Sequence, residues 1–301
     1  AVACHFRGGY LDDLFLGGPP GVCAASFVEL ETALAAIDLT VSRAKSQVVV
    51  GSLCPDTLAL DGLFPAASFL QADSWELLGA PCGSQAFAQQ WAEALADHIA
   101  ARTRRVGELG ALFPQAALAM LRLCCGAAAA TFGMRMVGVW GAEGFSRIDR
   151  GTRAAFESIG LPVSTPEWSR IRLPISRGGL GLRVCRPFCE AAFAAATVEA
   201  VGRRTLFCSG LAPETLDPTA SPCFRAGGVF PDLDATTPHL QRRLSAPILE
   251  AMAAEAPLPG ISSGIAFAWP VLVDSCAGAL PPSSVGPRAL REHLGLHLGR
   301  P

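Results

Sequence analysis

The sequence predicts an α+β fold in three parts: a small strand-and-helix part over 1–83, a mostly α-helical part over 84–205, and an irregular tail over 206–301. Three observations carry this. Before residue 83 the apolar residues run in short strand-like segments, and from Ser84 they recur at helical spacing. From Gly202 to Pro222 the pattern breaks in Gly and Pro. The chain has 301 residues, half of them hydrophobic, enough for a real core and for two domains.

Residues 2–16 read as two short strands around a turn. Gly8 and Gly9 mark a place where the backbone passes close to something, and Gly17-Gly18-Pro19-Pro20 ends the second strand. A helix follows, with Phe27, Leu30, Leu34 and Ile37 on one face and Glu29 and Glu31 on the other. The residues 47–50 predict a short buried strand. A loop rich in Pro, Asp and Gly then runs to about Asp73, and 75–78 predicts a strand broken at Gly79.

Ser84 is the expected N-cap of the first long helix, and Phe87, Trp91, Leu95 and Ile99 form its stripe at i, i+4 steps. Helices are expected near 114–125, 146–159 and 187–202, and in the tail over 240–253 and 288–298. The run 116–140 is apolar enough to suggest a membrane span. Arg122 and Arg135 interrupt it, each at a cost of about 2.5–3.5 kcal/mol at a bilayer centre, so a buried helix pair is expected and no membrane.

The formal charge of −2 rules out a uniformly basic nucleic-acid binder. Its distribution is uneven. Residues 1–97 hold 3 Lys/Arg against 11 Asp/Glu, a net of −8, and residues 98–204 hold 15 Arg against 7 Asp/Glu, a net of +8. An acidic part followed by a basic one suits a metal site beside a surface that tracks phosphates. Two ordinary solvated surfaces give the same totals. The 11 cysteines show no disulfide framework, and no basic stretch precedes an apolar run at the start. These features predict a reduced intracellular setting, nucleus or cytoplasm, and not a secreted protein.

Tyr10-Leu11-Asp12-Asp13 lies between two apolar strands, with Phe6, Leu14 and Phe15 beside it. Adjacent carboxylates on a tight hairpin can grip divalent ions, whereas paired aspartates in a turn are commonly just a solvated loop. Packed strands on both sides favour the gripping role. The chain has a single Tyr, Tyr10, and a single Lys, Lys45, in a sequence that writes every other cation as Arg. A Lys can release a proton when its surroundings lower its pKa, and Arg effectively cannot. A leaving pyrophosphate benefits from such a donor.

These residues resemble a known family. The stretch from Gly9 to Leu16 resembles the Tyr-x-Asp-Asp box of reverse transcriptases, RNA-directed DNA polymerases. The stretch from Leu39 to Ser46 is similar to the family's next motif, in which a Lys follows the palm helix. Trp75-Glu76-Leu77-Leu78-Gly79-Ala80-Pro81 resembles the primer-grip hairpin, and the three occur in the family's order. The stretch from Arg172 to Arg183 resembles, more weakly, a segment downstream of the thumb in polymerases of non-LTR retrotransposon type.

The resemblance implies part of a polymerase palm, then a thumb-like and connecting helical region. It implies Asp12 and Asp13 as ligands of Mg²⁺ (or Mn²⁺) and Lys45 near the leaving group. Tyr10, Leu78 and Gly79 fall beside primer or nucleotide. The implied partners are an RNA template, a DNA primer and, in the intact parent, deoxynucleotides. The family needs a further metal-binding Asp from an upstream strand and the fingers that hold the incoming nucleotide, and residues 1–9 are too short to hold either. The chain alone is therefore expected to be inactive. Two alternatives stand beside the polymerase fragment: a non-catalytic nucleic-acid-binding module, and a decayed retroelement remnant.

The arginine excess of the second part, centred on Arg102, Arg104 and Arg105, points to backbone phosphates. The competing expectation is that these arginines pair with the acidic first part. Gly178-Gly179-Leu180-Gly181 lacks dinucleotide-loop spacing, and Cys185 and Cys189 lack partners at zinc spacing, so buried thiols are expected. His293 and His297 are four apart without the Glu a metalloprotease needs.

Overall fold

Short apolar runs separated by Gly, Pro and Asp give the first part brief strands and one long helix. The computed structural model describes residues 6–10, 12–51, 60–159, 162–207 and 239–256. The expected helix over 288–298 and the part of the expected break beyond Phe207 lie outside them, whereas residues 202–207 do not break the chain but continue a helix, since Gly202 alone among them disfavours one. The chain forms two compact units, one of residues 1–87 and 204–215, the other of 88–203 and 216–301. The fold is α+β, mostly helical with small sheets.

In the first unit, β1 (Phe6–Tyr10) and β2 (Asp13–Gly17) form an antiparallel hairpin. Helix α1 (Pro20–Ala35) starts on Pro20, whose fixed φ suits a first turn, and packs on β2. Phe27, Leu30 and Leu34 are half-buried on its inner face. Ile37 is not part of that face: the helix has ended, and Ile37 is 65% exposed. Strand β3 (Gln47–Val50) is half-buried rather than buried, and it pairs in parallel with β4 (Ser68–Gln71). The expected loop before Asp73 thus contains a strand and a short helix, α2 (Leu60–Leu63). Strands β5 (Ser74–Leu77) and β6 (Ala80–Gly83) form a second antiparallel hairpin.

Helix α3 (Gln85–Leu109) is capped by the Ser84 hydroxyl, which accepts the Phe87 amide at 3.2 Å. In the second unit its buried line is Ala88, Ala92, Ala96, Ile99, Thr103 and Val106, with Trp91 and Leu95 packed partly beside it. The small residues let α6 (Ala142–Ser158) approach closely. A Cβ on Gly144 would sit 2.7 Å from the Ala92 carbonyl, so only glycine fits there.

The apolar run becomes the expected helix pair, α4 (Pro114–Cys124) and α5 (Gly126–Val137), which turn at Gly126 with φ +52°. By length and composition the helical stretch 114–158 could cross a membrane, and half of its most apolar window is buried in the protein. Helix α7 (Thr165–Ile171) opens with a capping box between Ser164 and Glu167, and α8 (Cys189–Phe207) follows.

The core of this unit contains Leu121, Phe145, Ile148, Phe156, Ile171 and Leu180, each at most 2% exposed. Burying one such side chain contributes about 1.5–3 kcal/mol. Helix α9 (Leu240–Glu255) brings the tail into this core through Leu240, Leu244 and Met252. Three arginines bracket it: Arg135 donates to Gln241 (2.8 Å), Arg172 faces Glu255 (3.7 Å), and Arg177 pairs with Glu250.

Candidate functional site

The register of the first hairpin places Tyr10 opposite Asp13. Asp12 lies in the turn, Asp13 opens β2, and both residues are exposed. Arg7 ties the hairpin to α1 by donating to the Ser26 hydroxyl at 2.9 Å. Two neighbouring carboxylates on an anchored turn suit one Mg²⁺ or Mn²⁺ completed by waters and substrate phosphates. They do not suffice for two ions about 3.5–4 Å apart. Among the described residues no group of three or more His, Cys, Asp or Glu is placed to hold a metal.

Lys45 ends a 3₁₀ turn, Arg43–Lys45, that leads into β3, and its side chain is exposed. The turn is held from α1. The Arg43 guanidinium forks onto Glu31, with Nε 2.7 Å from Oε1, and lies 5.6 Å from the centre of the Phe27 ring. The hydrogen bond from Arg43 holds the Glu31 carboxyl below its ordinary range and raises Arg43 in return. Sequence reading missed Glu31 and Arg43 as supports because twelve positions separate them. The only available signal was their opposite charge.

Leu78 and Gly79 form the turn between β5 and β6, with φ of +52° and +73°. Two positive φ values are what a two-residue hairpin loop requires. Glycine meets that demand freely. A leucine there costs about 1–2 kcal/mol, and Leu78 is nonetheless 49% exposed.

Arg102, Arg104 and Arg105 are all exposed on α3, but they do not share one face. At about 100° per residue, Arg102 and Arg105 lie within about 60° of each other while Arg104 points to the far side. There Arg104 faces Glu108 at 3.8 Å. The other paired arginines of the helical unit use acids of that same unit, such as Asp97, Glu143, Glu157 and Glu199. Arg147 thus reaches the last acid of residues 1–97, Asp97, within the helical unit itself.

Cys185 and Cys189 are fully buried. Burial pushes the Cys185 thiol well up and the Cys189 thiol to about 11, as expected of inert thiols. Asp149 of α6 accepts the Cys185 and Arg186 amides at 2.6 and 2.9 Å and so fixes the segment entering α8. Burial raises its pKa against the pull of those amides. The Gly178–Gly181 amides are all used inside their own loop, on Ile175, Pro174, Ile171 and Leu173 carbonyls, so no phosphate cradle exists there. Comparison with protein-family models, with curated proteins and with solved structures finds no match in any of the three.

Proposed function

We propose that this chain carries part of a reverse-transcriptase palm followed by a helical thumb-like region, whose intact parent performs RNA-directed DNA synthesis by two-metal nucleotidyl transfer. The supporting observation is the Tyr-x-Asp-Asp hairpin, with Asp12 in the turn and Asp13 exposed at the head of β2. In this reading Asp12 and Asp13 hold Mg²⁺ or Mn²⁺ together with a carboxylate supplied from elsewhere in the parent. The ion, when bound, neutralises charge on the nucleotide phosphates. Lys45, set on its turn by Arg43 and Glu31, stands on the leaving-group side. The strained, exposed Leu78 suits a surface that meets a primer, since strain without burial is characteristic of functional turns.

The test is Mn²⁺ binding to the purified chain, followed by electron paramagnetic resonance. Weak binding abolished in the Asp12→Asn/Asp13→Asn double variant is expected. Unchanged binding in that variant would remove the metal role. With no third carboxylate beside the pair among the described residues, the chain alone is expected to give no template-directed primer extension.

A second reading is favoured by the unevenness of charge pairing: the helical unit is a nucleic-acid-binding module in its own right. Arg102 and Arg105 have no acidic partner among the described residues. Such contacts are sequence-blind and weaken with salt.

A further inference from the structure

Two stretches of the helical unit contain no carboxylate at all: 109–142, and 168–189 between Glu167 and Glu190. Arginines that emerge from them depend on acids outside these stretches. Arg135, Arg172 and Arg177 each face a glutamate of α8 or α9. Arg122 and Arg183 have no acidic partner within 4 Å among the described residues, and neither does Arg102 of α3.

These three come from distant positions, and the α4–α5 junction is met by the Arg122 helix turn, the Arg183 backbone and the Arg102 charge. Arg122 lies on the last turn of α4, three residues before Cys125. The Arg183 carbonyl is 3.7 Å from the place a Cβ on Gly126 would occupy. Arg102 is close enough to Cys125 for its charge to act on that thiol, which burial otherwise pushes up. Arg102 and Arg183 are exposed and Arg122 is half-exposed.

The glycine loop supplies the remaining piece. Arg122 Nε lies 3.2 Å from where a Cβ on Gly181 would sit, and Gly181 holds φ +73°. A side chain at 181 would crowd the guanidinium. The loop therefore does not bind an anion with its amides, which are spent internally. It makes room for a cation. Asp149 of α6 is turned onto the Cys185 and Arg186 amides.

We propose that Arg102, Arg122 and Arg183 form one oxyanion-binding surface at the α4–α5 junction, and that its ligand is the phosphate backbone of a nucleic acid. The proposal rests on the nucleic-acid reading of the helical unit and relocates its centre. Arg104 takes no part. Guanidinium forks match phosphate oxygens in pairs, and three from separate elements can follow successive phosphates along a strand.

The test uses the full chain and a labelled primer–template duplex in fluorescence anisotropy across a salt series from low to physiological strength. Wild type is expected to bind with affinity falling as salt rises. Arg122→Gln and Arg183→Gln should each flatten the slope of log affinity against log salt by about 0.7–0.9, the contribution of one phosphate contact. Arg104→Gln should leave it unchanged. Circular dichroism of each variant controls for folding, and the exposed Arg102→Gln provides a third point.

Unchanged slope and affinity in the Arg122→Gln/Arg183→Gln double variant, with wild type binding, would overturn this site but leave the nucleic-acid reading. No duplex binding by wild type at low salt would overturn both. A competition arm with inorganic phosphate and a deoxynucleoside triphosphate separates the sources. Arg122-dependent binding of either small anion without duplex binding would also overturn the proposal.

Discussion

The two units are built from similar proportions of apolar residue but bury them to different depths. In the helical unit Phe145, Phe156, Ile148 and Leu180 are sealed, and even its alanines serve as contact surfaces between helices. In the strand-bearing unit the buried described residues are small or few: Cys23, Ala24, Ser26 and Leu60. Its described strands form three separate pairs. Leu14, Val28, Leu39 and Phe69 remain exposed to water. A two-stranded pair is marginal by itself in water, whereas helices that interlock through glycine and alanine close a core without help. The comparison teaches that the helical unit carries the chain's stability, while the unit with the paired aspartates is held by point contacts such as Arg7–Ser26 and Arg43–Glu31.

The largest expected effect sets the two units directly against each other. Phe156→Ala, which also empties the space beside Trp168, should cost about 3–5 kcal/mol in urea unfolding. Leu14→Ala, on a residue 49% exposed, should change stability by no more than about 1 kcal/mol. Comparable losses from both would erase the distinction.

Next comes Asp149→Ala, which strands two amides and should destabilise the helical unit by about 1–3 kcal/mol. Its pH dependence has a definite sign. The folded carboxyl titrates above its unfolded value, so its contribution is full below the ordinary aspartate range and is lost as pH rises through the folded pKa. Stability measured against pH should fall there in wild type and stay flat in Asp149→Asn at this step.

A smaller effect of opposite direction is expected at the β5–β6 turn. Leu78→Gly should raise stability by up to about 1 kcal/mol, because glycine adopts positive φ without penalty. A loss of stability would show that Leu78 is held by packing rather than strained. The smallest effect concerns the turn bearing Lys45. Glu31 titrates below its ordinary range, so its grip on Arg43 is present above that range and lost as pH falls through the lowered value. Protection factors of the Lys45 and Ser46 amides against hydrogen exchange, corrected for the intrinsic rate at each pH, should fall in acid, and Glu31→Gln should show low protection already at neutral pH.

Much of this was legible in the sequence, for reasons that differ by element. The first hairpin, the Ser84 cap and the α4–α5 pair depend on neighbours within a few positions, where periodicity and capping speak directly. Strand β4 was hidden because four residues, Ser68–Gln71, are too few to show a period beside Gly and Pro, and nothing local announces a parallel partner. The aspartate pair and Lys45 could be read from residue type, but their supports could not. Arg43 reaches Glu31 across twelve positions, and Asp149 reaches Cys185 across thirty-six. Which arginines are neutralised and which are not is a property of the folded chain alone: Arg135 finds Glu199 from 64 positions away.

The three-arginine bracket around α9 bears on how this helix finds its place. What fixes α9 is the address written at its two ends, Gln241 at one and Glu250 and Glu255 at the other, read by Arg135, Arg177 and Arg172. Reversing the charge at Arg177 and Arg172 together would leave the helix without a destination.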